Sequence, residues 1–193
     1  MPQSPTFARP LSRRTLLASL LGAGGASLLP ASAQAALAVG ALAPDFTVDA
    51  ALGGQPFKFT LSQALKQGPV VLYFYPKAFT SGCTVEAHLF AEATPQFKAL
   101  GATVIGLSND TLETVKKFST EACRSAFAVG ADDGAKVIKA YDAGLMLIPG
   151  MADRVSFVIA PDRKILRVYS DMSPEGHITE TMKAVQAWRS AQR

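Results

Sequence analysis

Cysteine is scarce in this chain: Cys83 and Cys123 are the only two in 193 residues. Two cysteines exclude a multiply stapled scaffold. Histidine is equally rare. His88 and His177 have no spaced ligand partners, so no metal site is expected and both read as surface or core residues. There is no Cys-x-x-Cys pair; Glu86 stands three residues after Cys83, which argues against a dithiol oxidoreductase. A copper-delivery protein would also want a second cysteine near Cys83. No acidic residue precedes Asp45. No fixed period repeats along the chain, and nothing after residue 35 is low in complexity.

The acid-free first 35 residues read as a targeting segment rather than as fold. Arg9, Arg13 and Arg14 supply positive charge. An apolar run then reaches Leu29, broken by Gly22, Gly24 and Gly25, too short and glycine-rich for a membrane span. Small-residue triplets follow, Ala31-Ser32-Ala33 and Ala33-Gln34-Ala35. The adjacent arginines point to a signal peptide of the twin-arginine type, removed on export to the periplasm. The expected organisation is therefore a signal at 1–35 and one folded domain at 36–193, with no membrane anchor after cleavage. Losing three arginines brings the net charge of +4 close to neutrality. No basic stripe remains, so nucleic acid is not an expected partner. A domain of this size buries roughly 70% of its unfolded surface and needs no metal to be stable.

Val70–Tyr75 (VVLYFY) is a continuous apolar run between Gly68-Pro69 and Pro76, the pattern of a central buried strand. A helix follows from Cys83, with Val85, Leu89, Ala93, Phe97 and Leu100 on its expected inner face. Thr94-Pro95 is expected to split or kink it. Thr103–Leu107 reads as a second buried strand. Asp110 with Glu113 resembles a capping box, opening a helix with Leu112, Val115, Ser119 and Ala122 inward. Phe57–Leu61 and Phe127–Val129 read as short strands, and Asp133–Tyr141 as a short helix. Gly144–Met151 fits no element and reads as a loop. Val155–Ile159 and Ile165–Tyr169 flank the turn residues Pro161–Lys164 and form a hairpin. A last helix carries Ile178, Met182, Val185 and Trp188. Strands alternating with helices give an α/β fold with a mixed central β-sheet flanked by helices.

Cys83 falls where a buried strand has ended, a loop has passed and a helix begins. Unpaired N–H groups and partial positive charge at a helix start stabilise negative charge on a sulfur. Gly82 allows close backbone approach. Thr80 places a hydroxyl three residues back, within reach of the sulfur or a substrate oxygen. Pro76 has no N–H and would shield the pocket. A lone cysteine is more often a small buried hydrophobe than a nucleophile, so the surrounding motif carries the argument.

That motif, Pro76, Thr80 and Cys83 in VVLYFYPKAFTSGCTVEAHLF, resembles the peroxiredoxins, in particular the peroxiredoxin Q or bacterioferritin-comigratory-protein branch. The resemblance extends to Ala43-Pro44-Asp45-Phe46, to Arg154 ahead of Val-Ser-Phe-Val-Ile, and to Gly176-His177, and spans residues 39–190. It implies a thioredoxin-like fold and a cofactor-free peroxidase reducing hydrogen peroxide and organic hydroperoxides. The Cys83 thiolate would attack the O–O bond and become a sulfenic acid. Arg154 would stand beside it; without the resemblance it reads as a solvated strand-end charge. A thioredoxin-like protein or a small thiol is the expected reductant, and a monomer or weak homodimer the expected assembly.

Relatives often place a resolving cysteine five residues after the peroxidatic one, where this chain has His88. Cys123 is the remaining candidate, with Arg124 next to it to favour its thiolate. A Cys83–Cys123 bond needs Cα atoms within about 7 Å, which implies unwinding of a helix end. Three readings stay open: a resolving Cys123, a one-Cys peroxidase with a structural Cys123, or a permanent disulfide suited to an oxidising compartment. A non-enzymatic periplasmic redox-sensing or binding module is the further alternative. Glu86, in the first helical turn, reads as a charge that complements the helix dipole.

Overall fold

A computed structural model describes residues 36–192; the 1–35 segment expected to be a signal lies outside the described residues. Seven strands form one mixed sheet: β1 (Thr47–Leu52), β2 (Gln55–Thr60), β3 (Val70–Phe74), β4 (Thr103–Ser108), β5 (Ala128–Ala131), β6 (Val155–Ile159) and β7 (Ile165–Ser170). Their spatial order is β2-β1-β5-β4-β3-β6-β7. The three central strands β5, β4 and β3 are parallel. Outside them, β1 and β6 run antiparallel to their neighbours, and β2 and β7 close the edges as hairpin partners. Parallel strands need crossovers. These are α2 (Ser81–Ala99) between β3 and β4, and α3 (Leu112–Glu121) between β4 and β5. Three further helices are α1 (Leu61–Ala64), α4 (Lys136–Ala140) and α5 (Glu175–Ala191).

Every residue of β3 and β6 is buried, as continuous apolar strands covered on both faces should be. Period-two alternation divides β3. Leu72 and Phe74 join Ile105, Leu107 and Phe157 in a core beneath α1 and α4. Val71, Tyr73 and Tyr75 face the other way, into a core shared with α2, α3 and α5. That second core holds both cysteines. Tyr73 stacks on Phe90 of α2 with ring centroids 4.4 Å apart. Gly106, its neighbour on β4, leaves room for the tyrosine ring: a Cβ there would stand 2.5 Å from Tyr73 Cζ.

Several local expectations need correction. The buried face of α2 is Cys83, Glu86, Ala87, Phe90, Ala91, Thr94 and Phe97; Val85 is exposed, and Leu89, Ala93 and Leu100 are only partly buried. The helix is phased by Cys83 and Phe90 facing the sheet, which turns Val85 outward. It continues through Pro95 to Ala99 rather than splitting there. The cap of α3 is Thr111, whose hydroxyl accepts from the Thr114 N–H at 3.3 Å. Asp110 is instead buried and spent on the β3–α2 loop: it accepts from the Ala78 N–H at 2.8 Å and the Ser108 hydroxyl at 2.9 Å. Lys77 pairs with its other oxygen at 2.5 Å. Strand β1, which pairs with β2 along its whole length, has no counterpart among the sequence expectations. The Gly144–Met151 segment is a loop, pinned at its base by the Leu145 N–H donating to Met151 O at 2.8 Å.

Candidate active site

The site begins at the end of β3. Pro76, partly buried, turns the chain out of the sheet. Phe79 then adopts a left-handed conformation with φ 65°, unusual for a side chain of this size. Its ring packs edge-on against Phe118 of α3, with centroids 5.2 Å apart. The Asp110 contacts described above fix the same loop from below. This bracing makes Thr80 the N-cap residue of α2 and puts Cys83 at the third helical position. The first turn closes with the Thr84 N–H donating to Thr80 O at 2.9 Å.

Cys83 is 1% exposed, and its sulfur accepts from Arg154 Nη2 at 3.4 Å. Arg154 precedes β6, the strand beside β3, so sheet pairing brings residues 71 positions apart into contact. Arg154 is 3% exposed, and its guanidinium is held by two further contacts. Nη1 donates to Glu86 Oε2, and Nε donates to Met172 O at 3.1 Å. Gly82 accommodates it, since a Cβ at that position would stand 3.0 Å from Arg154 Nη2. The closeness that Gly82 permits is therefore taken up by the arginine.

Glu86 is the site residue that the sequence reading missed. It is fully buried on the Arg154 guanidinium. Burial raises its carboxyl to about 8, against the lowering pull of Arg154. The available signal was its spacing: three residues after Cys83, it shares the cysteine's helical face. His177 is also buried, with its Nε2 2.8 Å from Asp171 O and Nδ1 2.8 Å from Ser156 Oγ. Burial is the main cause that lowers its pKa.

Thr80 does not reach the sulfur here: its hydroxyl donates to Lys77 O at 3.0 Å. Cys123 follows the end of α3, fully buried, its N–H donating to Phe118 O at 3.0 Å. Burial pushes its thiol far up, and the expected help from Arg124 is not realised. Arg124 instead turns outward to Glu92 of α2 at 3.1 Å. Both cysteines are free thiols. Among the described residues no group of three or more histidine, cysteine, aspartate or glutamate side chains is arranged to hold a metal ion.

A buried cysteine at a helix start, faced by a fixed guanidinium on a thioredoxin-like sheet, defines a thiol oxidoreductase site. The sequence profile of the AhpC/TSA family matches residues 39–168, and the chain belongs to this family, that of the peroxiredoxins. It is accordingly a thiol-dependent peroxidase. Peroxiredoxin Q of the chloroplast from Oryza sativa subsp. japonica is 32% identical over 200 residues, covering 95% of this chain and 90% of its own length. The crystal structure of peroxidoxin BcpB from Mycobacterium tuberculosis matches with a TM-score of 0.68 at 33% identity, covering 77% of this chain and 96% of that one. A cysteine-to-serine variant of PrxQ from Xylella fastidiosa matches with a TM-score of 0.69 at 26% identity, covering 80% and 98%.

Proposed function

We propose that Cys83 is the peroxidatic residue of an exported peroxidase acting on hydrogen peroxide and organic hydroperoxides. The observation that carries this reading is the 3.4 Å contact between Arg154 Nη2 and the Cys83 sulfur. During attack, negative charge leaves sulfur and accumulates on the departing oxygen. A guanidinium already fixed by Glu86 and Met172 O stabilises charge at both ends without reorganising. The peroxide O–O bond breaks, one oxygen stays on Cys83 as a sulfenic acid, and the other leaves as water or an alcohol after protonation. Pro76 and Thr80 belong to the loop that leads from β3 to Cys83, and the Thr80 hydroxyl would leave Lys77 O to meet a bound peroxide. Cys83→Ser abolishes peroxide turnover, whereas retained turnover refutes the assignment. Arg154→Ala slows Cys83 oxidation about 100-fold, the scale of losing one preorganised donor.

Cys123 is the proposed resolving cysteine. Two observations support it. It shares one buried cluster with Cys83, and Tyr73 and Tyr75 belong to the same cluster. Arg124 and Ser125 directly after it hold left-handed φ values of 49° and 56°, a costly backbone state that local unwinding would release. Unwinding would also expose a thiol whose burial now opposes ionisation. The complete burial of Cys123 equally suits a one-Cys cycle in which it is structural. A thioredoxin-like protein or a small thiol would then return the enzyme to its reduced form. The arginine-containing first 35 residues are proposed as a twin-arginine export signal. Lysine substitution of Arg13 and Arg14 should hold the protein in the cytoplasm on cell fractionation, and unchanged periplasmic recovery refutes that route.

A further inference from the structure

Around Cys83 the fold buries one cation and two groups able to carry negative charge. Arg154 is the cation, touching the Cys83 sulfur through Nη2 and Glu86 Oε2 through Nη1. The ionisable groups facing Glu86 are Cys83 on its own helix, Arg154 at the start of β6, His177 on α5 and Tyr73 on β3. Burial raises the Tyr73 hydroxyl well above its ordinary value, so it stays neutral. His177 also stays neutral at pH 7. Asp171 and Asp153 pull it toward protonation, but burial and Arg154 outweigh them.

The two carboxyl oxygens of Glu86 meet different surroundings. Oε2 accepts from Arg154, whereas Oε1 has no hydrogen-bond partner and lies 3.8 Å from His177 Nδ1. The Asp171 carbonyl can only accept, so His177 Nε2 carries the ring proton. In a neutral ring Nδ1 is then a lone pair, and the Ser156 hydroxyl donates to it at 2.8 Å. A negatively charged Oε1 would face that lone pair in a dry pocket. Because Ser156 already occupies that lone pair, the Ser156–His177 pair offers Oε1 no donor, and protonation removes the charge that would otherwise stand there uncompensated. With one oxygen on Arg154 and the other without a donor, the pocket suits a neutral carboxyl.

We propose that Glu86 is a positioning residue, kept protonated by its burial against a Ser156–His177 pair that offers it no donor, so that the buried cation Arg154 serves the Cys83 sulfur instead of a neighbouring carboxylate. When Glu86 loses its proton, Arg154 has two anions to balance, and two anions around one buried cation are poorly compensated. The guanidinium is drawn toward the carboxylate, and its hold on the sulfur and on the leaving oxygen weakens. This inference rests on the reading of Cys83 as the reacting thiol.

Two measurements test it together. Single-turnover oxidation of Cys83 by hydrogen peroxide is followed on both sides of pH 8, where the Glu86 carboxyl gives up its proton. The wild-type rate falls several-fold on the alkaline side, and Glu86→Gln removes that fall. An alkaline fall that persists in Glu86→Gln, or none in the wild type, overturns the proposal. Infrared spectra of the wild-type protein labelled with carbon-13 glutamate need no variant to fold. A protonated-carboxyl band at neutral pH that vanishes as the pH passes about 8 is expected. Its absence overturns the proposal as well. Should Cys83 resist peroxide at every pH, the peroxidatic reading fails, and the infrared band still reports on the Glu86 proton.

Discussion

Glu86 and Cys83 sit one helical turn apart on the same face of α2, and each depends on Arg154. The dependence has a cost that pH reveals. Unfolded, the Glu86 carboxyl ionises near 4.5; folded, it keeps its proton up to about 8. The folded state therefore binds the extra proton in that window, and its stability falls as the pH climbs from 4.5 to about 8. Glu86→Gln removes this slope. Thermal unfolding should show the variant gaining on the wild type as the pH rises through the window, and parallel melting curves would contradict it. The family motif exposes Cys83, Thr80 and Arg154, although Arg154 taken by itself reads as an ordinary strand-end charge. Glu86 escapes notice because an acid near a helix start has a commoner explanation, the helix dipole. Its role depends on Arg154 and His177 arriving from β6 and α5, and no local pattern records that meeting.

At the scale of elements, β3 and α2 do most to place the chemistry. The unbroken apolar run Val70–Phe74 is legible as a buried strand because it is bounded by Gly68-Pro69 and Pro76. The start of α2 is legible to within two residues. Its inward face is not: Val85 looks apolar enough to point inward, yet the Cys83 and Phe90 contacts set the phase and leave it exposed. Asp110 is misread for a related reason. Its spacing to Glu113 fits a cap, but the Ala78 N–H and Ser108 hydroxyl claim its carboxylate first. Gly82 gives the prediction that belongs to this scale. A Cβ there meets Arg154 Nη2 at 3.0 Å, and the guanidinium is pinned by Glu86 and Met172 O on its other sides. Gly82→Ala should displace the guanidinium from the sulfur and slow peroxide oxidation of Cys83 roughly tenfold while the fold survives. Stopped-flow rates equal to wild type would mean that the arginine has slack.

Over the whole molecule, the sheet order explains why the site is where it is. Strand β3 lies between β4 and β6, so its C-terminal end meets the end of parallel β4 and the beginning of antiparallel β6. Asp110 follows the first, and Arg154 precedes the second. One brace for the loop and one cation for the sulfur thus come from topology alone. The same sheet face carries α2 and α3 side by side, with Tyr73 and Tyr75 beneath and the two thiols in one core. Whether that core opens to join them is a property of the oxidised protein. The measurement that bears most directly on the account is the intact mass of the reduced protein, mixed for seconds with one equivalent of hydrogen peroxide, followed by peptide mapping. The account predicts modification at Cys83: loss of two hydrogens if Cys123 resolves it, or gain of oxygen if Cys123 stays buried. An unmodified Cys83 in folded protein would contradict it.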